Sequence, residues 1–213
     1  MTIPVIIPVN RLDRAKGRLA ELLTPDEREA LTLATLRTVL EAVREAGMKP
    51  VVLAADPRLA ALLDPGVTVV AEDRATSGLN AQLEVVLAAT REPAVLILHA
   101  DLPLATGPAL RALLAAADAD ESVALVRSPD GGTNAMFFRP PGRFPLAYGK
   151  GSFAAHCDAA ERAGLAVSVV ESPELALDLD TPVDLRTLLS TPGGRASAAG
   201  KLLLERGVEA RLG

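Results

Sequence analysis

Asp178 and Asp180 stand one residue apart in LALDLDTPVDL, residues 175–185. Residues i and i+2 of an extended chain point to the same side, so the two carboxylates would stand together. The leucines around them read as buried strand. Carboxylates that close repel unless a cation lies between them. Asp101 ends another apolar stretch, AVLILHA (94–100), and a carboxylate at the carboxyl end of a strand is well placed to join the pair. The three would form an oxygen-only set, which selects Mg2+, with Mn2+ as the alternative. The plainer readings are that Asp101 and Asp180 cap turns or helices and that Asp178 is exposed. These leave the spacing of the pair without a reason. His99, inside the apolar run, reads as a core residue.

Three further stretches could hold anions. NRLDRAKGRLAELL (10–23) follows the first apolar run and carries Arg11, Arg14, Lys16 and Arg18. Four cations leaving a buried strand can receive a polyphosphate, although a solvated basic loop has the same composition. Neither GxxxxGK[ST] nor GxGxxG occurs. SPDGGTNAMF (128–137) places Thr133 and Asn134 beside a Gly-Gly turn, where backbone N–H groups are accessible. YGKGSFAAH (148–156) places Gly149 and Ser152 at a helix start, where free N–H groups and the helix dipole attract anions.

The elements that must position these residues can be read from the spacing of apolar side chains. Strand-length runs fall at 3–9, 50–55, 67–72, 94–100, 122–128, 134–139 and 166–172. Their near-continuous Val, Ile and Leu mark strands covered on both faces. Helical periodicity occupies 25–46, 57–63, 79–92, 107–117, 152–164, 182–190 and 195–206. Thr24-Pro25-Asp26-Glu27 and Thr181-Pro182-Val183-Asp184 both read as helix starts, with Thr as cap and Pro in the first turn. The alternation predicts an α/β, Rossmann-like fold with a mixed, mostly parallel sheet flanked by helices. No helix fits between 128 and 134, so a hairpin is expected there. Residues 1–213 are expected to form one domain, with a short helical tail from about 192.

Composition narrows the function. The chain has 213 residues, 49% of them hydrophobic, and a net charge of −5. That charge argues against a nucleic-acid partner. One cysteine, Cys157, excludes an internal disulfide framework and a Cys-based zinc site. It suits a reducing compartment, and the chain is expected to be cytoplasmic. MTIPVIIPV lacks a basic lead and is too short to span a bilayer, so no membrane association is expected.

Taken together and in order, HADLPL, DGGTNA, GKGSFAAH and LALDLDTPVDL resemble the 2-phospho-L-lactate / phosphoenolpyruvate guanylyltransferase family of coenzyme F-420 biosynthesis. RLDRAKGRL and SGLNAQL (77–83), which contains Asn80, are similar to it as well. The resemblance spans about residues 3–190. It implies a nucleotidyltransferase fold related to the molybdenum-cofactor nucleotidyltransferases. It implies GMP transfer from GTP to phosphoenolpyruvate or 2-phospho-L-lactate, with release of pyrophosphate and onward transfer of the product by a downstream enzyme. A homo-oligomer is compatible with it.

By this resemblance Asp101, Asp178 and Asp180 match metal-binding acids. Thr133, Gly149 and Ser152 match the phospho-acid site, and Asn134 is expected to bind the acid beside them. Lys16, with help from Arg11, Arg14 and Arg18, matches the triphosphate loop; Asn80 is expected to bind the nucleotide as well, and Lys16 and Asp101 are the expected catalytic pair. The first loop departs from related nucleotidyltransferases in having only one glycine, Gly17, so side chains must do more of the phosphate binding. A larger acceptor, such as molybdopterin or a sugar phosphate, and a non-catalytic nucleotide-binding subunit are the competing readings.

Overall fold

The computed structural model describes residues 2–213. Seven strands form one sheet in the order β3-β2-β1-β4-β6-β5-β7. The strands are β1 (Pro4–Val9), β2 (Lys49–Ala54), β3 (Thr68–Ala71), β4 (Val95–Leu98), β5 (Ser122–Arg127), β6 (Thr133–Arg139) and β7 (Ala166–Val169). β1 pairs parallel with β2 and β4, and β6 pairs antiparallel with both β4 and β5. β6 alone therefore runs against the rest, because β5 and β6 form the expected hairpin. The long helices are α1 (Pro25–Glu45), α3 (Leu79–Ala89), α4 (Gly107–Ala115) and α5 (Ser152–Arg162). A single turn, α2 (Leu59–Leu62), links β2 to β3.

Alternate residues of β1 enter opposite layers, as pleating requires. Val5, Ile7 and Val9 pack with Leu36, Val39 and Leu110 on one face of the sheet. Ile6 packs with Leu83, Ile97 and Met136 on the other. The chain leaves β1 toward β2 on one side and later returns to β4 on the other. This reversal of strand order makes the carboxyl ends of β1 and β4 the natural ligand crevice.

Pro8 helps to open that crevice. Lys49 N–H donates to Ile3 O and Ala55 N–H to Val9 O, so the odd-numbered residues of β1 bond to β2. Pro8 therefore faces β4, where it has no N–H to give. The β1–β4 ladder holds only Val5 opposite Leu96 and Ile6 opposite Ile97.

A third apolar cluster supports the crevice from outside the sheet. Leu19 and Leu23 of the first loop pack with Leu177, Leu179, Leu185 and Leu203. This corrects the expected strand around Asp178. Pro173–Ala176 form a short helix, α6, and residues 177–180 are extended but join no sheet. The alternation Leu-Asp-Leu-Asp still operates there: Leu177 and Leu179 are buried and the aspartates face the other way.

The helix α7 (Pro182–Leu189) starts as expected, with Thr181 as its cap. The tail is not one helix over 195–206 but three short ones, α8 (Pro192–Ala196), α9 (Ala198–Glu205) and α10 (Val208–Arg211). Ser197 interrupts the first two by taking an extended conformation and accepting from Gly200 N–H. A Cβ at Gly200 would overlap the carbonyl of Gly194, so the two helices meet backbone to backbone. The tail packs on its own chain, and Arg211 reaches Glu27 at the start of α1 and the carbonyl of Leu22. Among the described residues no helix is long and apolar enough to cross a membrane.

Candidate active site

Beyond the paired part of β1 and β4 lies a cavity of about 730 Å³, lined by Arg14, Lys16 and Arg18, by Gly78 at the start of α3, and by His99, Asp101 and Asp180. The residues that could carry charge chemistry converge here from three separate loops.

Asp101, Asp178 and Asp180 each offer a carboxylate oxygen within 4.8 Å of the others. Asp101 follows β4 directly. The backbone N–H of Leu179 donates to Asp101 O at 3.3 Å, which ties the two acidic segments together. Behind the pair, Asp184 fixes the turn. Its carboxylate accepts from the N–H of Asp180 at 3.0 Å and of Thr181 at 2.6 Å. The capping role thus belongs to Thr181 and Asp184, which leaves the Asp180 carboxylate free to face the cavity.

In this protein the cation between the carboxylates is Lys16. Its Nζ lies 2.7 Å from Asp101 Oδ2 and 3.1 Å from Asp180 Oδ1. Lys16 is also the one non-glycine residue with positive φ, at 55°, among the described residues. An L-residue in the left-handed region carries roughly 1–2 kcal/mol of strain. The ion pairs with the two acids help to hold the backbone in that conformation.

The electrostatics are strongly coupled. Burial works against the charged form of Lys16, but Asp101 and Asp180 outweigh it and raise its pKa. Burial likewise opposes ionised Asp101, and the Lys16 ammonium holds its pKa below the usual range. Asp178 has no such partner. Burial, then the charges of Asp101 and Asp180, push it up to about 7. One Asp101 oxygen, Oδ1, is buried without a hydrogen-bond partner among the described residues. An orphaned carboxylate oxygen beside two more carboxylates, with no nitrogen or sulfur donor in the set, fits a hard divalent cation.

The remaining predicted residues divide. Arg14, Lys16 and Arg18 line the cavity. Arg11 forms an exposed ion pair with Asp13 at 3.0 Å and is not among the lining residues. The Asn80 amide is used at both ends: Nδ2 donates to Tyr148 O at 3.0 Å, and Tyr148 N–H donates to Oδ1 at 2.8 Å. Asn80 therefore clamps the glycine loop before α5. Asn134 Nδ2 donates to Leu175 O at 3.1 Å and Ala176 O at 2.6 Å, which anchors the segment leading to Asp178. Thr133 and Ser152 are buried side by side, with Ser152 Oγ 3.3 Å from Thr133 Oγ1. Gly149, at φ 141°, shapes the turn, and its carbonyl accepts from Ser152 N–H.

Two positions were not legible as site residues. His99 lines the cavity, and its Nε2 is buried without a hydrogen-bond partner among the described residues. Asp56 holds the basic loop from behind, accepting from Leu12 N–H at 3.1 Å while paired with Arg58 at 2.9 Å. AADPR, after the second apolar run, is the only sequence sign of it.

Comparisons with known proteins bear on the family and the fold. The family model described as "Guanylyl transferase CofC like" matches residues 3–201. The phosphoenolpyruvate guanylyltransferase of Rubrobacter xylanophilus is 42% identical over 200 residues, covering 91% of this chain and 96% of its own. The 2-phospho-L-lactate guanylyltransferase of Methanoregula boonei is 39% identical over 181 residues, covering 85% and 79%. Among solved structures, a Desulfovibrio desulfuricans G20 protein, assigned provisionally as a nucleotide-diphospho-sugar transferase, superposes with a TM-score of 0.83 at 18% identity, covering 100% of this chain and 97% of its own. Rv0371c of Mycobacterium tuberculosis H37Rv, solved as a manganese complex, gives a TM-score of 0.57 at 21% identity, covering 90% and 99%. At those identities the two structures speak to the fold alone. The sequence relatives and the family model speak to the family: this chain belongs to the CofC-like guanylyl transferases.

Proposed function

We propose that this protein transfers GMP from GTP to a phosphorylated three-carbon acid, with phosphoenolpyruvate as the first candidate and 2-phospho-L-lactate as the second. The products would be pyrophosphate and a GMP diester of the acid, enolpyruvoyl-2-diphospho-5'-guanosine in the first case. That diester is an activated intermediate for coenzyme F-420 biosynthesis, to be consumed by a downstream transferase. The observation that carries this reading is the meeting of Lys16 with Asp101 and Asp180, with Asp178 beside them, at a cavity that Arg14 and Arg18 also line.

The chemistry needs charge control more than proton transfer. A phosphate oxygen of the acid attacks the α-phosphorus of GTP, and the bond from that phosphorus to the β-phosphate oxygen breaks. Both reactants are anions, so positioning and neutralisation dominate. Asp101, Asp178 and Asp180 would hold Mg2+ or Mn2+, which when bound neutralises phosphate charge. Lys16, released from the carboxylates, would turn its ammonium to the departing pyrophosphate. Arg14 and Arg18 would grip the triphosphate with their planar forks. Thr133, Gly149 and Ser152 would hold the acid. No general base is required, because the attacking oxygen is already anionic.

The test is incubation of the protein with GTP, Mg2+ and each acid in turn, with sugar phosphates and molybdopterin as further arms. Mass spectrometry reads the diester, and pyrophosphate release gives the stoichiometry. One diester per pyrophosphate with a three-carbon phospho-acid supports the reading. Turnover only with a sugar phosphate or molybdopterin sinks it.

A further inference from the structure

The hydroxyls of Thr133 and Ser152 meet a third side chain, His156, which ends YGKGSFAAH. It lies one turn after Ser152 on the same face of α5, as i and i+4 residues do, and it is fully buried. Ala147 N–H donates to its Nε2 at 2.9 Å. That nitrogen therefore bears no proton, and the neutral ring carries its proton on Nδ1. Nδ1 lies 3.0 Å from Thr133 Oγ1, and Ser152 Oγ lies 3.3 Å from the same oxygen.

A proton count then decides what the site can offer. Thr133 and Ser152 bring two hydroxyl protons. One is used between the two hydroxyls. The imidazole brings its own proton to Thr133 Oγ1 and takes none. The second hydroxyl proton has no acceptor among the described residues, so in this buried pair it is left for a group that enters beside it. In the opposite tautomer Nδ1 would accept that proton, and the pair would have nothing to give.

We infer that His156 is a positioning residue: held in one tautomer by Ala147 N–H, it makes the Thr133–Ser152 pair a net hydrogen-bond donor toward an anionic substrate. The inference rests on the proposed reading in which this pair holds the phospho-acid. Burial also pushes the imidazole down to about 4, so the ring stays neutral at physiological pH. The edge of the ring meets Tyr148 with centroids 4.7 Å apart, and the backbone of Tyr148 is held in turn by Asn80.

Two variants separate the two nitrogens. His156→Asn can keep an N–H near the place of Nδ1, and His156→Gln can keep an acceptor near the place of Nε2. His156→Gln is expected to raise KM for the acid about tenfold, the scale of one oriented hydrogen bond, with KM for GTP within twofold. His156→Asn is expected to stay within about threefold of the wild type for both. Nitrogen-15 NMR of the wild-type protein supplies a readout independent of turnover and of variant folding: Nδ1 protonated and Nε2 bare. A ring protonated on Nε2, or variants that raise both KM values alike, overturns the inference. A wild-type protein that forms no diester with any acid overturns the substrate reading, and this inference with it.

Discussion

The Lys16 ammonium lies 2.7 Å from Asp101 Oδ2, which joins the loop after β1 to the end of β4 through one buried ion pair. Any divalent cation that uses Asp101 and Asp180 must compete with Lys16 or share with it. Lys16→Ala is therefore expected to act in two directions. Without metal, three facing carboxylates lose their counter-charge, and stability should fall by about 3 kcal/mol, the scale of breaking a buried pair. Mn2+ should bind more tightly than to the wild type and restore the melting temperature. Turnover should still drop about 10²–10³-fold, the scale of losing one preorganised electrostatic donor. Calorimetry with Mn2+ and a thermal melt check the first part, and kcat with GTP checks the second. Weaker Mn2+ binding in the variant would show that Lys16 supports the metal site instead of competing for it.

Asp180→Asn tests the other carboxylate on Lys16. Asp180 is half exposed, and its backbone N–H is already secured by Asp184. The fold should survive, with a melting temperature close to that of the wild type, while Mn2+ affinity and turnover collapse. Asp184→Ala should do the reverse in part: it frees the turn, lowers stability by about 1 kcal/mol as lost helix caps do, and leaves the metal ligands in place. Equal loss of turnover in both variants would mean that the turn, not the ligand, is what matters.

Much of the fold and of the acidic set is legible in the sequence. The strands were readable because their apolar runs are covered on both faces, so few polar residues interrupt them. The acidic set was readable because charge between leucines has few structural reasons to exist. What was not legible is the choice of partner. Arg11 and Arg14 look alike in sequence, yet Asp13 takes Arg11 away from the cavity. Asn80 lies in a family-like stretch, but its amide is consumed by the backbone of Tyr148, 68 residues away. The α6 turn is not legible because four residues carry too little periodicity, although Pro173 stands at its first position.

The Asn80 clamp makes a prediction about distance. It contacts no cavity group through its amide, but it fixes the chain on which Gly149 and Ser152 lie. Asn80→Ala removes two hydrogen bonds of about 1 kcal/mol each. KM for the acid should rise about five- to tenfold, because the acid site loses its support. KM for GTP should change less than twofold. Steady-state kinetics with each substrate varied in turn decides it, and a larger effect on GTP would return Asn80 to the nucleotide site.

Asp56 carries the acid dependence of the basic loop. Its carboxylate is buried and held below its ordinary value, to about 2, chiefly by the hydrogen bond from Arg58, with burial opposing and the N–H groups of Arg58 and Leu12 assisting. A folded pKa below the unfolded one means that the unfolded state takes up the proton first as pH falls. The stabilisation is therefore complete above about pH 4 and is lost on going down toward pH 2. A shift of this size corresponds to about 2 kcal/mol. Asp56→Asn should cost roughly that at pH 7, and the gap between variant and wild type should narrow as pH drops below about 4. Because Leu12 N–H loses its ionised acceptor, the loop carrying Arg14 and Lys16 should also loosen. Urea midpoints at pH 7 and pH 3, with hydrogen exchange at Leu12, measure both effects. A gap that is unchanged at pH 3 would show that the carboxylate acts by shape alone and that its charge contributes nothing.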